Sequence, residues 1–151
     1  MIWKPHVTVA AVIERDAQFL LVEETTSIGL AYNQPAGHLE AGESLIDAVK
    51  REVSEETAWQ FEPKFLLAVQ LWRKTPDHPS FLRFCFAGEV HSHNPDQKLD
   101  DGIIATHWLD YAGIVSRSHR LRSPLVLLTI DEYRKGNHYP LSMLQSFLDL
   151  T

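Results

Sequence analysis

The segment from residue 40 to residue 56 constrains this chain most, because it concentrates acidic side chains on a predicted helix. It holds six acids and two bases, a net charge of −4, out of −6 for the whole chain of 151 residues. From Ser44 onward the apolar residues recur at helical spacing, and Ser44 with Asp47 three residues later predicts a capping box. We therefore expect a helix that begins after Ser44 and ends near Thr57.

Three glutamates share one side of this predicted helix. At about 100° per residue, Glu52, Glu55 and Glu56 fall within an arc of roughly 100°, beside the apolar stripe that contains Val49 and Val53. Like charges at these spacings destabilise a helix by a few tenths of a kcal/mol per pair, and a divalent cation would offset that repulsion. Magnesium prefers such oxygen ligands. A solvated acidic helix face is the alternative, and the spacing alone leaves it open.

The rest of the chain predicts strands mixed with two further helices. Alternating or apolar runs predict strands over 7–13, 19–22, 65–72, 80–90 and 106–109, and the segment 35–43 is a shaped loop. A second helix follows Ser123 as its cap and Pro124 as its first residue, with Gly136 as its stop. A last helix is predicted over about 141–148. Strands and helices interleaved on one core predict an α/β or α+β sandwich.

Length, charge and the start of the chain limit the classes of protein. A chain of 151 residues predicts a single domain spanning residues 1–151. The net charge of −6 argues against nucleic acid as a partner. The chain lacks an apolar run long enough to cross a membrane and opens without a basic-then-apolar leader, so we expect a cytoplasmic protein. Its single cysteine, Cys85, excludes an internal disulfide. We expect a monomer rather than an obligate oligomer.

The wider pattern around the glutamates resembles the Nudix box, G-x5-E-x7-R-E-U-x-E-E-x-G-U, in which U is apolar. The residues at matching positions are Gly37, Glu43, Arg51, Glu52, Glu55 and Glu56. The resemblance implies a Nudix-like α/β/α sandwich with a mixed sheet and a loop-helix-loop metal site. It also implies an enzyme that hydrolyses phosphoanhydride bonds.

The resemblance assigns a role to each matching residue. The implied metal ligands are the carboxylates of Glu52, Glu55 and Glu56 and the carbonyl of Gly37. Arg51 joins the three glutamates in the implied catalytic set and forms with Glu43 the ion pair that orients the helix. Mg²⁺ is the implied cofactor, with Mn²⁺ as a substitute. The general base is left open among Glu55, Glu56 and an acid outside the box.

One position departs from the box. The glycine that follows the second of the paired glutamates by two positions in the box is Ala58 here, and the next residue is Trp59. A glycine at that position suits a left-handed helix stop, which costs alanine about 1 kcal/mol. The sequence leaves two outcomes open, a helix that ends differently or an Ala58 that keeps a right-handed conformation.

Similarity beyond the box points to one branch of the family. The segments 4–10, 19–25, 33–40, 81–84 and 121–126 resemble the NudJ-type phosphatases, so the likeness covers nearly the whole chain. That branch implies a small phosphorylated substrate and magnesium. The implied substrates are hydroxymethylpyrimidine pyrophosphate, thiamine pyrophosphate and nucleoside di- and triphosphates.

Several further residues are candidates for substrate binding. On the strand 80–90, Arg83 shares a face with Cys85, and its fork suits a phosphate clamp, with a surface salt bridge as the alternative. Tyr32, Trp72 and Trp3 are candidates to stack on a substrate ring, although core packing explains most such aromatics. The remaining candidates are His38, beside the metal loop, and Asp100 and Asp101, as possible extra acids.

Two other functions stay open at this point. The first is the same chemistry on nucleotide sugars or RNA 5′ ends, and a folded basic patch of Arg117, Arg120, Arg122 and Arg134 would favour the RNA role. The second is a non-catalytic Nudix-like ligand sensor. The presence of all the box glutamates disfavours a sensor, because a sensor is free to lose them.

Overall fold

The computed structural model describes all 151 residues, which form seven strands and three α-helices. The strands are β1 (His6–Arg15), β2 (Gln18–Thr26), β3 (Gly29–Asn33), β4 (Ala36–His38), β5 (Gln60–Trp72), β6 (Phe81–His91) and β7 (Ile103–Asp110). The helices are α1 (Leu45–Thr57), α2 (Tyr111–Val115) and α3 (Leu125–Arg134). Two short 3-10 turns cover Ser118–Arg120 and Leu141–Met143.

The seven strands form one mixed sheet. The main strand order is β3-β2-β1-β6-β5, with β4 paired to β1 and β7 paired to β2. The β1–β6 pair is parallel and all other pairs are antiparallel. Strands β1 and β2 pair only near their turn, at Glu14 and Phe19, and farther along β1 pairs with β4 instead. The sheet therefore parts between β2 and β4.

Helices cover both faces of the sheet, as expected for an α/β/α sandwich. On one face, Val9 and Ala11 of β1 pack in a buried cluster with Val49 and Val53 of α1. On the other face, alternate residues of β1 pack in a second cluster that contains Ile130 of α3. Because successive strand residues point to opposite faces, one strand contributes to both cores. The predicted fold class is confirmed.

Helix α1 begins and ends through identifiable caps. The Ser44 hydroxyl oxygen accepts a hydrogen bond from the Asp47 N–H at 3.1 Å, as the capping box predicts. At the other end Ala58 adopts the left-handed conformation, with φ of 61°, and its N–H donates to the Ser54 carbonyl. The helix thus keeps the stop that a glycine would make with less strain, so a right-handed Ala58 is excluded.

Some predicted elements are wrong. The last helix, expected over 141–148, is a single 3-10 turn at Leu141–Met143. Phe147, Leu148 and Leu150 beyond it are exposed, so a helix there would lack the buried face that stabilises a short helix in water. Strand β3 and helix α2 were not predicted, and β4 lies within the segment 35–43 that was predicted as a loop. Helix α3 begins at Leu125, one residue after the predicted start. No helix has the length and apolar character needed to cross a membrane.

Candidate active site

An acidic cleft of about 380 Å³ lies where the sheet parts. Seven of its twelve lining residues are acids, and Arg51 is the one lining arginine or lysine. The lining residues are Glu24, Ala36, Gly37, His38, Glu40, Arg51, Glu52, Glu55, Glu56, Asp100, Asp101 and Ile103. They come from β2, from β4 and the residues that follow it, from helix α1, and from the start of β7 with the loop before it. The cleft therefore brings box residues together with acids that are distant from the box in sequence.

Arg51 holds the acids of the cleft in place. Its Nε donates to Glu43 Oε2 at 3.0 Å and its Nη2 donates to Glu43 Oε1 at 2.7 Å, a bidentate pair. Its Nη1 donates to Glu52 at 2.8 Å and to Glu55 at 3.2 Å. The Arg51 guanidinium lowers the pKa of Glu43, and the Glu43 carboxylate in turn raises the pKa of Arg51. Arg51 also donates to the His38 carbonyl at 3.0 Å, which ties the end of β4 to α1.

Three carboxylates converge on one point of the cleft. Glu52, Glu55 and Asp100 each offer an oxygen, and these oxygens lie within 4.8 Å of one another. The Asp100 N–H donates to the Glu55 carbonyl at 3.0 Å, so the loop before β7 is fixed to α1 by its backbone. Burial raises the pKa of Glu52, and burial together with the Asp100 charge raises the pKa of Glu55. Carboxylates this close repel one another, and a bound cation would offset that repulsion.

Glu56 lies deeper than the other two glutamates of the box. Its side chain is buried, and its Oε1 accepts a hydrogen bond from the Ala36 N–H at 3.2 Å. Burial, followed by the charge of Glu52, raises the pKa of Glu56 to about 9. Burial and the neighbouring Glu52 charge therefore both favour the protonated form of Glu56.

Gly37 makes room for Glu52. A Cβ built at Gly37 would collide with the carboxylate carbon and both oxygens of Glu52. Gly37 pairs with Val9 of β1, so the close approach is fixed by the sheet. The requirement for glycine here is steric, since the backbone lacks the positive φ that would itself select glycine.

The donor set fits a hard divalent cation. Magnesium takes oxygen ligands from one or two carboxylates and retains several waters. Glu52, Glu55 and Asp100 supply convergent oxygens, and Glu56 lies behind them with a carboxyl whose negative charge a cation would favour. The cleft has no cysteine, and its one histidine, His38, stands outside the convergent group, so zinc ligands of nitrogen and sulfur are not assembled here.

Arg83 does not reach the cleft. It is buried, and its guanidinium donates to Gln34 at 2.8 Å, to Thr129 at 3.0 Å and to Gln70 at 3.2 Å. Neutral side chains of the fold occupy its donors and it does not line the cleft, so the structure offers no support for the phosphate clamp, which stays a prediction. The alternative of a surface salt bridge is wrong, since Arg83 is neither exposed nor paired with a carboxylate.

The predicted ring-stacking residues lie in different places. Tyr32 is buried in the α3-side cluster beneath Arg120, so its ring has no free face in the cleft. Trp3 is 67% exposed near the chain start and does not line the cleft. Trp72 packs on Phe81, with ring centroids 6.1 Å apart. Stacking of substrate on Tyr32 or Trp3 is thus not supported.

His38 is the one predicted ring residue that lines the cleft, and it leads outward along a row of aromatic rings. Its ring centroid lies 5.5 Å from that of His6, and the His6 ring lies 5.3 Å from Phe81. Phe81 then contacts Trp72. We refer to His38, His6, Phe81 and Trp72 as the aromatic row. It begins at the end of β4 and ends at the β5–β6 turn.

The sequence interpretation missed or underrated three acids. Asp100 belongs to the convergent group, whereas Asp101 is almost fully exposed and lies 3.7 Å from Lys98. Glu24 and Glu40 line the cleft but were not predicted to. The sequence carries a signal for Glu24. It follows Leu20 and Val22 at alternate positions of β2, so its polar side chain lies on the same face of the strand as those two apolar residues. Burial raises the pKa of Glu24.

The arginines of the candidate basic patch lie over two tyrosine rings. Arg117 and Arg120 both lie over the Tyr32 ring, and Arg122 follows them. Arg134 instead lies over the Tyr111 ring, 3.7 Å from its centroid. Arg117 also donates to the Gly113 carbonyl of α2, the helix that begins at Tyr111, and a basic patch of the four arginines stays a prediction.

Comparison with known proteins agrees with the fold and the site. The sequence profile of the NUDIX domain matches residues 4–127. Phosphatase NudJ of Escherichia coli K12 is 43% identical over 145 residues, which cover 96% of this chain and 94% of that protein. A solved NUDIX hydrolase from Nitrosomonas europaea is 46% identical with a TM-score of 0.93, covering 95% of this chain and 98% of that one.

A more distant structure shares the fold alone. The NUDIX domain of Shewanella oneidensis NrtR, solved with ADP ribose, has a TM-score of 0.72 at 19% identity and covers 89% of this chain and 90% of that one. The profile match and the extent of the NudJ similarity decide the family. The chain belongs to the Nudix family and is a Nudix hydrolase of the NudJ type.

Proposed function

We propose that this chain is a magnesium-dependent phosphatase that hydrolyses the phosphoanhydride bond of small diphosphate compounds and releases phosphate. The observation that carries the proposal is the convergence of Glu52, Glu55 and Asp100 within 4.8 Å, beside the buried Glu56. Such a group is costly without a cation and suits one that also binds phosphate oxygens. The Escherichia coli relative is named a phosphatase, which supports the same activity.

We assign the metal to the carboxylates of Glu52, Glu55 and Glu56 and the Gly37 carbonyl, with Asp100 as a further ligand. When bound, Mg²⁺ or Mn²⁺ would neutralise the diphosphate and lower the pKa of a coordinated water. Glu43 and Arg51 are positioning residues in this proposal. Arg51 holds Glu52 and Glu55 on the cleft side of α1, and Glu43 holds Arg51.

A carboxylate of the cleft accepts the proton of the attacking water in this proposal. We assign that role to Glu55 or Asp100, because both are partly exposed to the cleft. Glu56 is a poorer candidate, since its side chain is buried and held by the Ala36 N–H. Asp101 is also disfavoured, because it stands outside the convergent group.

The aromatic row supports substrates that carry a ring. Its first member, His38, lines the cleft, and its other members continue away from the acids. A pyrimidine, thiazole or nucleobase ring could pack there by stacking while its diphosphate reaches the metal. This arrangement favours hydroxymethylpyrimidine pyrophosphate, thiamine pyrophosphate and nucleoside di- and triphosphates as the substrate class.

A panel of substrates tests the proposal. With Mg²⁺, and with EDTA as the metal-free control, phosphate release is measured from hydroxymethylpyrimidine pyrophosphate, thiamine pyrophosphate, ADP and ATP. AMP release is measured from ADP-ribose, because both of its phosphates are esterified and its hydrolysis frees no inorganic phosphate. We expect magnesium-dependent release from at least one terminal diphosphate or triphosphate, and loss of that release in Glu55→Gln. Turnover confined to ADP-ribose, or the absence of any turnover by folded protein, would contradict the phosphatase assignment.

A further inference from the structure

The cleft lacks a free cation for the substrate. Seven acids line it, and its arginine, Arg51, already donates to Glu43, Glu52, Glu55 and the His38 carbonyl. A diphosphate carries several negative charges on two phosphoryl groups. A metal at the convergent carboxylates would meet part of that charge, and the walls of the cleft offer no free arginine or lysine for the remainder.

Arg122 stands at the rim of the cleft with an unused guanidinium. The closest approach of its side chain to an acid is 3.5 Å, from Nε to Oε1 of Glu24, and Glu24 lines the cleft. Its side chain is 53% exposed and makes no hydrogen bond within the chain. Both Nη groups are therefore available to a ligand while Glu24 keeps the arginine turned toward the acids.

The backbone that carries Arg122 is fixed. Its N–H donates to the Tyr32 carbonyl at 2.8 Å, and the preceding Leu121 forms a parallel bridge with Tyr32 of β3. Helix α3 begins three residues later, at Leu125. Arg122 thus extends the free edge of β3, from which a long side chain can turn toward the cleft.

Neighbouring cations are already engaged or loosely placed. Arg120 donates to Glu23 at 2.8 Å and lies over the Tyr32 ring. Arg117 donates to the Gly113 carbonyl at 2.8 Å. Lys98 contacts the cleft acid Asp101 at 3.7 Å, but its side chain is 88% exposed. Arg122 is the one cation that combines a fixed backbone, contact with a cleft-lining acid and free donors.

We propose that Arg122 binds the terminal phosphate of the substrate, with Glu24 as the residue that positions it. The inference rests on the proposed function, because it assumes a diphosphate in the cleft. A planar guanidinium can donate two parallel hydrogen bonds to two oxygens of one phosphoryl group. A terminal phosphate offers three non-bridging oxygens and the higher charge, so Arg122 favours a free terminal phosphate over a diphosphate esterified at both ends.

Steady-state kinetics on the best substrate of the panel test this assignment. Arg122→Gln removes the charge and the fork, Arg122→Lys keeps the charge alone, and Lys98→Gln is the matched control that removes another rim charge. We expect Arg122→Gln to raise KM about ten- to a hundred-fold, as for a lost charge-assisted hydrogen-bond pair. The KM of Arg122→Lys should lie between that of Arg122→Gln and that of the wild type. Lys98→Gln should change KM less than about three-fold.

Binding of methylenediphosphonate, a diphosphate that is not hydrolysed, separates this inference from the proposed function. Calorimetry with Mg²⁺ present should show about ten-fold weaker binding or more in Arg122→Gln, whether or not the wild type turns over any substrate. The inference is overturned by an unchanged affinity and KM in Arg122→Gln, by an equal effect of Lys98→Gln, or by a wild type that does not bind the probe. Absence of turnover together with Arg122-dependent binding would overturn the phosphatase proposal alone.

Discussion

Glu56 shows that adjacent positions within one motif can place the same side chain in different surroundings. Glu55 and Glu56 are neighbours in the sequence, yet Glu55 reaches the cleft and Arg51, whereas Glu56 points into the protein beside the Ala36 N–H. The helical repeat explains the difference, because 100° of rotation separates adjacent residues. Glu52 and Glu56, four residues apart, share the buried face of α1.

The buried carboxyl of Glu56 predicts an unusual pH dependence of stability in the metal-free protein. Its pKa is raised from 4.5 to about 9, so the folded state binds more protons than the unfolded state across that window. Stability from this group is therefore fully present below pH 4.5 and is lost as pH rises toward 9, at a slope of about 1 kcal/mol per pH unit. Urea unfolding in EDTA from pH 5.5 to 8.5 measures the slope.

Glu56→Gln should flatten this dependence, because the amide does not titrate. Glu89→Gln, at an exposed position of β6, is the control and should leave the slope as in the wild type. A slope in Glu56→Gln equal to that of the wild type would mean that Glu56 is not the proton-binding group.

The close approach of Gly37 to Glu52 gives a second prediction at the residue scale. In Gly37→Ala the added methyl group must displace the Glu52 carboxylate, since the strand holds the backbone of residue 37. We expect metal-dependent phosphate release to fall at least about ten-fold, while urea unfolding stays within about 1 kcal/mol of the wild type, because the displaced group is the end of a flexible side chain. Full activity in Gly37→Ala would show that Glu52 can bind metal from another position.

At the scale of elements, the buried network around Arg83 joins parts of the fold that meet behind the cleft. Arg83 lies on β6, Gln70 on β5, Thr129 on α3, and Gln34 between β3 and β4. Gln34 also donates to the Val126 carbonyl at 2.7 Å, so the segment between β3 and β4 is tied to α3. Arg83 is the one charged member of the network. Because no carboxylate balances this charge, the hydrogen bonds to Gln34, Gln70 and Thr129 are what stabilise the buried guanidinium.

Arg83→Met should therefore destabilise the fold by about 2–4 kcal/mol, because Gln34, Gln70 and Thr129 lose a shared donor in a buried place. Arg73→Met removes an exposed arginine just beyond β5 and should change stability by less than about 0.5 kcal/mol. Urea unfolding of the two variants measures the difference. A loss below about 1 kcal/mol in Arg83→Met would argue that the network contributes little to stability.

The elements predicted well are those whose signals are local. Helix α1 followed from its apolar spacing and the Ser44 cap, and both are intrinsic to the segment. The buried position of Arg83 could not be predicted, because the sequence shows which strand face holds an arginine but not what covers that face, here Thr129 of α3. The helix over 141–148 failed because apolar spacing predicts a helix only where another surface buries the apolar face.

At the scale of the whole molecule, the site depends on how the sheet parts. The box supplied the α1 acids and Gly37, but Glu24 and Asp100 enter the cleft only because β2 and the loop before β7 lie across from β4. Pairings between segments as distant as Glu24 and Ile103 are set by the fold, and a single sequence carries little signal for them. Motif spacing could therefore identify part of the site but not its opposite wall.

The central claim is that the convergent carboxylates bind the divalent cation, and Mn²⁺ binding followed by electron paramagnetic resonance tests it most directly. Wild-type protein, Glu52→Gln and the exposed control Glu89→Gln are titrated with Mn²⁺, and phosphate release is measured on the same samples. We predict that Glu52→Gln weakens Mn²⁺ binding at least about ten-fold and lowers activity in parallel, while Glu89→Gln matches the wild type. Unchanged Mn²⁺ affinity in Glu52→Gln would contradict the account, because the metal would then bind elsewhere.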